Sequence, residues 1–172
     1  MSLRLSLAAL CIVCAAGLGF LKGQRLRTRI RMLERMARLL LHMERELEFG
    51  RDPLPQIFQK LSEKNDGRLK LFLKKVSKEM TTGNGEFRDI FSKNIQQCLE
   101  GGELTGEDIK RLYAFGNELG YPDRQLQIHA VAVFRKETEM LLEELKKEYP
   151  QSCRLFRTLW TAAGVFLAIL LW

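Results

Sequence analysis

Both ends of this chain are apolar and its middle is not. No charged side chain occurs from Leu5 to Leu21 or from Thr158 to Trp172. All 21 acidic residues, and every basic residue except Arg4, lie between these runs. Such a layout leaves few folds open. It predicts a polar domain (22–157) hung from a bilayer by an N-terminal transmembrane helix (1–21) and a C-terminal one (158–172). Both runs are short against the roughly 20 helical residues that span a hydrocarbon core. Trp160 and Trp172 suit interfacial anchoring, and Arg154 and Arg157 can snorkel. A partly inserted C-terminal helix is the other reading of the second run.

The flanks give the orientation. Lys22, Arg25, Arg27, Arg29, Arg31, Arg35 and Arg38 follow the first run with Glu34 as the sole acid, and Arg154 and Arg157 precede the second. Basic residues beside a span resist translocation, so both flanks hold the middle domain in the cytoplasm. A basic stretch directly after an apolar core also opposes export. Leu5–Leu21 therefore reads as an anchor rather than a cleaved signal.

The formal net charge of +7 sits almost wholly in this collar, with Arg4 adding one unit. Beyond Arg38 acids and bases balance, so the middle is not a basic domain. Anionic lipid head groups are the expected partner of the collar, and nucleic acid is not expected.

Punctuation divides 22–157 into about six helices. Leu26, Ile30, Leu33, Ala37, Leu40 and Leu47 recur at spacings of four and three. They predict one long helix from Lys22 to Phe49, closed by Gly50. Asp52 as N-cap and Pro53 as first helical residue open the second, with Leu54, Ile57, Phe58 and Leu61 inward. Leu69, Phe72, Leu73, Val76 and Met80 mark the third; Phe87, Ile90, Phe91, Ile95 and Leu99 mark the fourth. Thr105 with Asp108 resembles a capping box for the fifth. Pro122-Asp123 begins the last, expected to end at Tyr149 before Pro150. No segment alternates with period two. The expected fold is all-α, a cytoplasmic helical bundle anchored at both ends.

Catalytic chemistry is hard to find. Cys11 and Cys14 have redox spacing but lie in an apolar run and read as packing residues; Cys98 reads as a free thiol. His42 and His129 stand alone, short of a metal site. Gly83, Gly85, Gly101 and Gly102 lack the Gly-Lys-Ser/Thr of a phosphate loop. No nucleophile, base and oxyanion donor assemble. The chain reads as a non-enzyme without cofactor or metal.

Two segments exceed the needs of helical punctuation. One runs from Met43 to Leu54 and holds Glu44, Glu46, Glu48, Phe49, Gly50, Asp52 and Pro53. The other runs from Phe115 to Gln127 and holds Gly116, Leu119, Gly120 and Asp123. Gly50, Gly116 and Gly120 suit tight turns and close helix approach, Asp52 and Asp123 suit caps, and Phe49, Phe115 and Leu119 are expected in the core. Glu44, Glu46, Glu48 and Gln127 are the candidate partner-binding residues. Glu44 and Glu48 share a helix face, whereas Glu46 lies nearly opposite.

With the terminal spans and the length, these segments resemble the stage III sporulation protein AB family of endospore-forming bacteria. Phe49 stands for an aromatic Tyr and Asp52 for a capping Thr. The resemblance implies a place in a mother-cell complex that builds a channel across the membranes around the forespore. It also implies likeness to the cytoplasmic domain of the inner-membrane platform protein of type II secretion and type IV pili. The implied role is a platform, on the mother-cell side of the outer forespore membrane, between a cytoplasmic secretion-type ATPase and the complex's other membrane proteins. Self-association is a further expectation. The competing class is a membrane-tethered helical signalling or regulatory adaptor unrelated to transport.

Overall fold

A computed structural model describes the backbone of residues 2–83 and 85–171, and the side chains of 24–83 and 85–147. Among the described residues there are six α-helices and no strand. They are α1 (Ser2–Phe49), α2 (Leu54–Glu63), α3 (Gly67–Thr82), α4 (Phe87–Cys98), α5 (Gly106–Leu119) and α6 (Arg124–Leu171). The chain divides into two compact units, one of Met1–Ile30 with Glu143–Trp172, the other of Arg31–Leu142.

The first unit holds the outer parts of α1 and α6. The expected spans, 1–21 and 158–172, lie outside the residues whose side chains are described. Among the described residues no helix is long and apolar enough to cross a membrane. The last helix does not stop at Tyr149 as expected, because α6 runs to Leu171. An internal proline forfeits one backbone hydrogen bond. A helix propagated on both sides of it can absorb that loss.

The second unit is the bundle. Helices α2 to α5 pack in chain order, each on the next. Their inward stripes agree with the sequence pattern: Ile57, Phe58 and Leu61; Leu69, Phe72, Leu73 and Val76; Ile90, Phe91 and Ile95; Ile109, Leu112, Phe115 and Leu119. Phenyl rings link the layers. Phe91 lies 5.1 Å from Phe72, 5.3 Å from Phe87, 6.3 Å from Phe58 and 6.1 Å from Phe115. Phe115 then stacks on Phe134 of α6 at 4.5 Å. Each such ring is worth roughly 1.5–3 kcal/mol by burial alone, so this chain of rings is the mechanical centre of the bundle.

α1 meets that centre with flexible side chains. Met32, Met36 and Met43 are buried beside Leu33, Leu39, Leu40 and Leu47. A small apolar void lies among Met36, Leu40, Met43, Phe58, Phe72 and Phe91. Unbranched thioethers suit such a seam because they fill irregular gaps against aromatic rings.

The helix ends are fixed by local chemistry. Thr105 Oγ1 accepts from the Asp108 backbone N–H at 3.3 Å, and Asp108 Oδ2 accepts from the Thr105 N–H at 2.9 Å, so the expected capping box is present. Gly83 closes α3 at φ 70°, left-handed, where a β-carbon is disfavoured. One cap is corrected. Pro53, not Asp52, is the N-cap of α2, with φ −69° and ψ 155° and no side-chain cap bond. The extended ψ at Pro53 delays the helix by a residue and leaves Asp52 outside its first turn. Inside the core Asn94 is fully buried; its amide donates to the Ile90 carbonyl at 2.8 Å, while its Oδ1 has no partner.

Candidate partner-binding site

The two motif segments meet at one end of the bundle. α1 ends at Phe49, and the last carbonyls of a helix have no intrahelical donors. Arg124, the first residue of α6, supplies them. Its Nε donates to the Leu47 carbonyl at 2.7 Å, and its Nη2 reaches the carbonyls of Gly50 and Glu46. A planar, permanently charged fork at a helix C-terminus satisfies hydrogen bonding and the dipole together. Asp123, just before Arg124, caps the start of α6: its Oδ1 accepts from the Gln125 N–H at 2.7 Å.

The glycines of both motifs are explained by what stands against them. A β-carbon on Gly50 would strike the Glu46 carbonyl, whose oxygen accepts from the Gly50 N–H at 3.0 Å. On Gly116, inside α5, it would overlap the Phe91 ring, 2.7 Å from Cε1 and closer still to Cδ1. On Gly120 it would press on Arg88 Cγ and Phe87 Cδ1, each at 3.1 Å. Close helix approach is therefore the main duty of Gly116 and Gly120. Phe115 and Leu119 are buried as expected, but Phe49 is 84% exposed. The reason is angular: Phe49 follows the buried Leu47 by two residues, roughly 200° around the helix.

The acidic candidates separate by environment. Glu44 Oε2 accepts from Arg135 Nε at 2.7 Å, with only 14% of the glutamate side chain exposed. Arg135 also donates to both oxygens of Glu139. The two carboxylates, Glu44 first, raise its pKa further and balance a guanidinium charge that persists at any ordinary pH. Glu46 pairs with Lys60 of α2 at 3.4 Å, and Lys60 also grips Asp52. Those carboxylates, Asp52 first, raise the Lys60 pKa. The triad Glu46–Lys60–Asp52 braces the 50–53 turn. Gln127 donates from Nε2 to the Tyr121 carbonyl at 2.7 Å, and Arg88 lies over the Tyr121 ring at 5.1 Å. Glu48 alone of the four candidates is exposed with no partner among the described residues.

Geometry thus offers a braced, polar corner with one free carboxylate. Among the described residues no three His, Cys, Asp or Glu side chains cluster to hold a metal ion. Arg124, Arg135 and Lys60 are the organising residues that the sequence pattern does not single out. Arg124 directly follows the capping Asp123 and opens α6, which is the available signal.

Comparison with known proteins bears on the family and the fold. A family profile described as stage III sporulation protein AB matches residues 4–172. A solved structure titled "Stage III sporulation protein AB (SpoIIIAB)" superposes with a TM-score of 0.65 at 17% identity, covering 72% of this chain and 97% of that one. At that identity the likeness speaks for the fold. No curated protein matches the chain at a significant level.

Proposed function

From the premise that the chain belongs to the stage III sporulation protein AB family, and so has a sporulation-related role, we propose that it is a non-enzymatic membrane platform. In this reading it links a cytoplasmic secretion-type ATPase to the membrane components of a sporulation channel in the mother cell. The observation that carries it is the family match across 4–172. The match takes in both apolar ends as well as the bundle.

Supporting features are physical. Two apolar ends with basic flanks on the domain side favour a cytoplasmic bundle in a two-span hairpin. The corner around Gly50 offers a charged contact for a motor. Glu44 and Glu46 are occupied by Arg135 and Lys60, so Glu48 is the carboxylate best placed to meet a partner, with Gln127 setting the adjoining turn. Such a charge steers encounter more than it adds affinity.

The test is a pull-down of a secretion-type ATPase from the same organism, using full-length protein in mild detergent. Wild type retains the ATPase, and Glu48→Lys weakens retention with an unchanged circular dichroism spectrum. Equal retention removes Glu48 from the interface. No ATPase binding by wild type favours the membrane-tethered adaptor instead. Topology is checked separately by cysteine labelling at each terminus, where a cytoplasmic carboxyl end would sink the hairpin.

A further inference from the structure

The outward face of α1 is a line of arginines. Arg31, Arg35, Arg38, His42, Arg45 and Phe49 recur at steps of four, three, four, three and four, and all six are exposed. At 100° per residue they fall within about 80° of arc, and at 1.5 Å per residue they extend about 27 Å. Among the described residues none of the four arginines has an ion pair or hydrogen bond. The line ends at Phe49, 84% exposed, the most exposed large apolar side chain described. The opposite face of the same stretch carries Met32, Met36, Leu40, Met43 and Leu47 into the core. Nothing inside the bundle therefore requires the basic face.

We propose that this face docks an acidic α-helix of a protein partner, with carboxylates at matching four-three spacing and an apolar side chain set against Phe49. Three features favour that occupant. Every lysine-or-arginine position of the line is arginine, while α2 and α3 carry their basic charge mainly as Lys60, Lys70, Lys74, Lys75 and Lys78. Arginine is the residue that forks onto carboxylates in planar, bidentate pairs. Second, the line is one residue wide, with Glu34 and Glu46 on its two borders. Arg31, Arg35 and Arg38 also form the domain-side end of the collar for which lipid is the expected partner, but a flat anionic bilayer, or the phosphates flanking a nucleic-acid groove, would meet those acids too. A helix laid alongside meets only the line. Third, lipid-binding helices pair a basic rim with a broad apolar face, and this face has no apolar residue before Phe49. An aromatic end beside arginines is the composition enriched at protein hot spots.

The surface differs from the Glu48 corner, and its test does not depend on an ATPase. Full-length protein in phosphatidylcholine nanodiscs is titrated against a labelled alanine-based helix bearing glutamates at four-three spacing and a terminal leucine, read by fluorescence anisotropy. Wild type binds, and affinity falls steeply as salt rises. Arg38→Glu with Arg45→Glu weakens binding at least about tenfold and gains affinity for the same helix carrying lysines. Phe49→Ser weakens binding with little change in salt dependence. Circular dichroism on each variant confirms the fold. Absence of wild-type binding, or equal binding by the charge-reversed protein, overturns the proposal. So does displacement of the peptide by a duplex oligonucleotide or by phosphatidylglycerol vesicles at lower charge concentration, which would assign the face to phosphate.

Discussion

Gly116→Ala tests the packing argument at its tightest point. In the interior of an exposed helix this change would gain about 1 kcal/mol of helix propensity. Here the new methyl group would sit 2.7 Å from Phe91 Cε1 and 3.2 Å from Cγ, with Cδ1 nearer still. Phe91 is 1% exposed and touches the rings of Phe58, Phe72, Phe87 and Phe115, and the void at its edge is too small to take a phenyl ring, so it cannot shift far without disturbing them. Overpacking of a filled core costs about 1–3 kcal/mol. Each displaced ring pair forfeits up to about 1 kcal/mol more. The expected net effect is a loss of about 2 kcal/mol, or a fall in Tm of roughly 4–8 °C for a chain of this length. Thermal and urea unfolding of the full chain in mild detergent, followed by circular dichroism, measures it. Gly106→Ala is the matched control. Gly106 opens α5 with open space where a β-carbon would stand and no positive φ, so alanine there is neutral or stabilises by about 0.5 kcal/mol. Phe91→Leu should relieve the Gly116→Ala penalty in the double variant, a non-additivity expected of touching residues. If Gly116→Ala proved as stable as wild type, the close approach of α5 to α4 would be wrong.

Three further outcomes are expected. Arg124→Ala should cost about 2 kcal/mol through lost charged hydrogen bonds to the end of α1; Arg124→Lys should not restore it, and hydrogen exchange around 48–50 should quicken. Asn94→Leu should be neutral or stabilising in urea melts, since it removes a buried oxygen without a partner; a marked loss would reveal an unrecognised partner for that oxygen. Lys60 has a folded pKa raised above its ordinary 10.5 by Asp52 and Glu46. Its contribution is therefore complete below about pH 10.5 and fades as pH rises through the higher folded value; a stability profile of Lys60→Met against wild type should converge only on that alkaline side.

The helices are legible in the sequence because their apolar stripes and glycine breaks are local. Leu33, Leu40 and Leu47 announce the buried face of α1, and Thr105 with Asp108 announces a cap. What escapes is set by distant partners. Met32, Met36 and Met43 widen the α1 stripe, and only the rings of other helices reveal why thioethers stand there. Phe49 looks like core by composition, whereas its angle from Leu47 turns it outward. Asp52 has the chemistry of a cap, but Lys60 takes it once Pro53 delays α2. Glu44 looks available until α6 brings Arg135 beside it. Arg124 serves carbonyls at the far end of another helix, which no local pattern can encode. The arginine line, in contrast, is present in the spacing of Arg31, Arg35, Arg38 and Arg45; what the fold adds is that it faces out.

The methionines along α1 make the bundle its own chemical clock. Met43 is 1% exposed and Met36 6%, while Met140 on α6 stands 53% exposed. Dilute peroxide reaches a thioether only where solvent does. Met140 therefore sets the open rate, and the lag of Met36 and Met43 behind it reports how often the α1 seam parts. Their ratio, read by mass spectrometry on unmutated protein, converts directly to a local opening free energy. Once oxidised, a sulfoxide in that seam would no longer suit the phenyl rings it faces, so each opening event would leave a lasting mark.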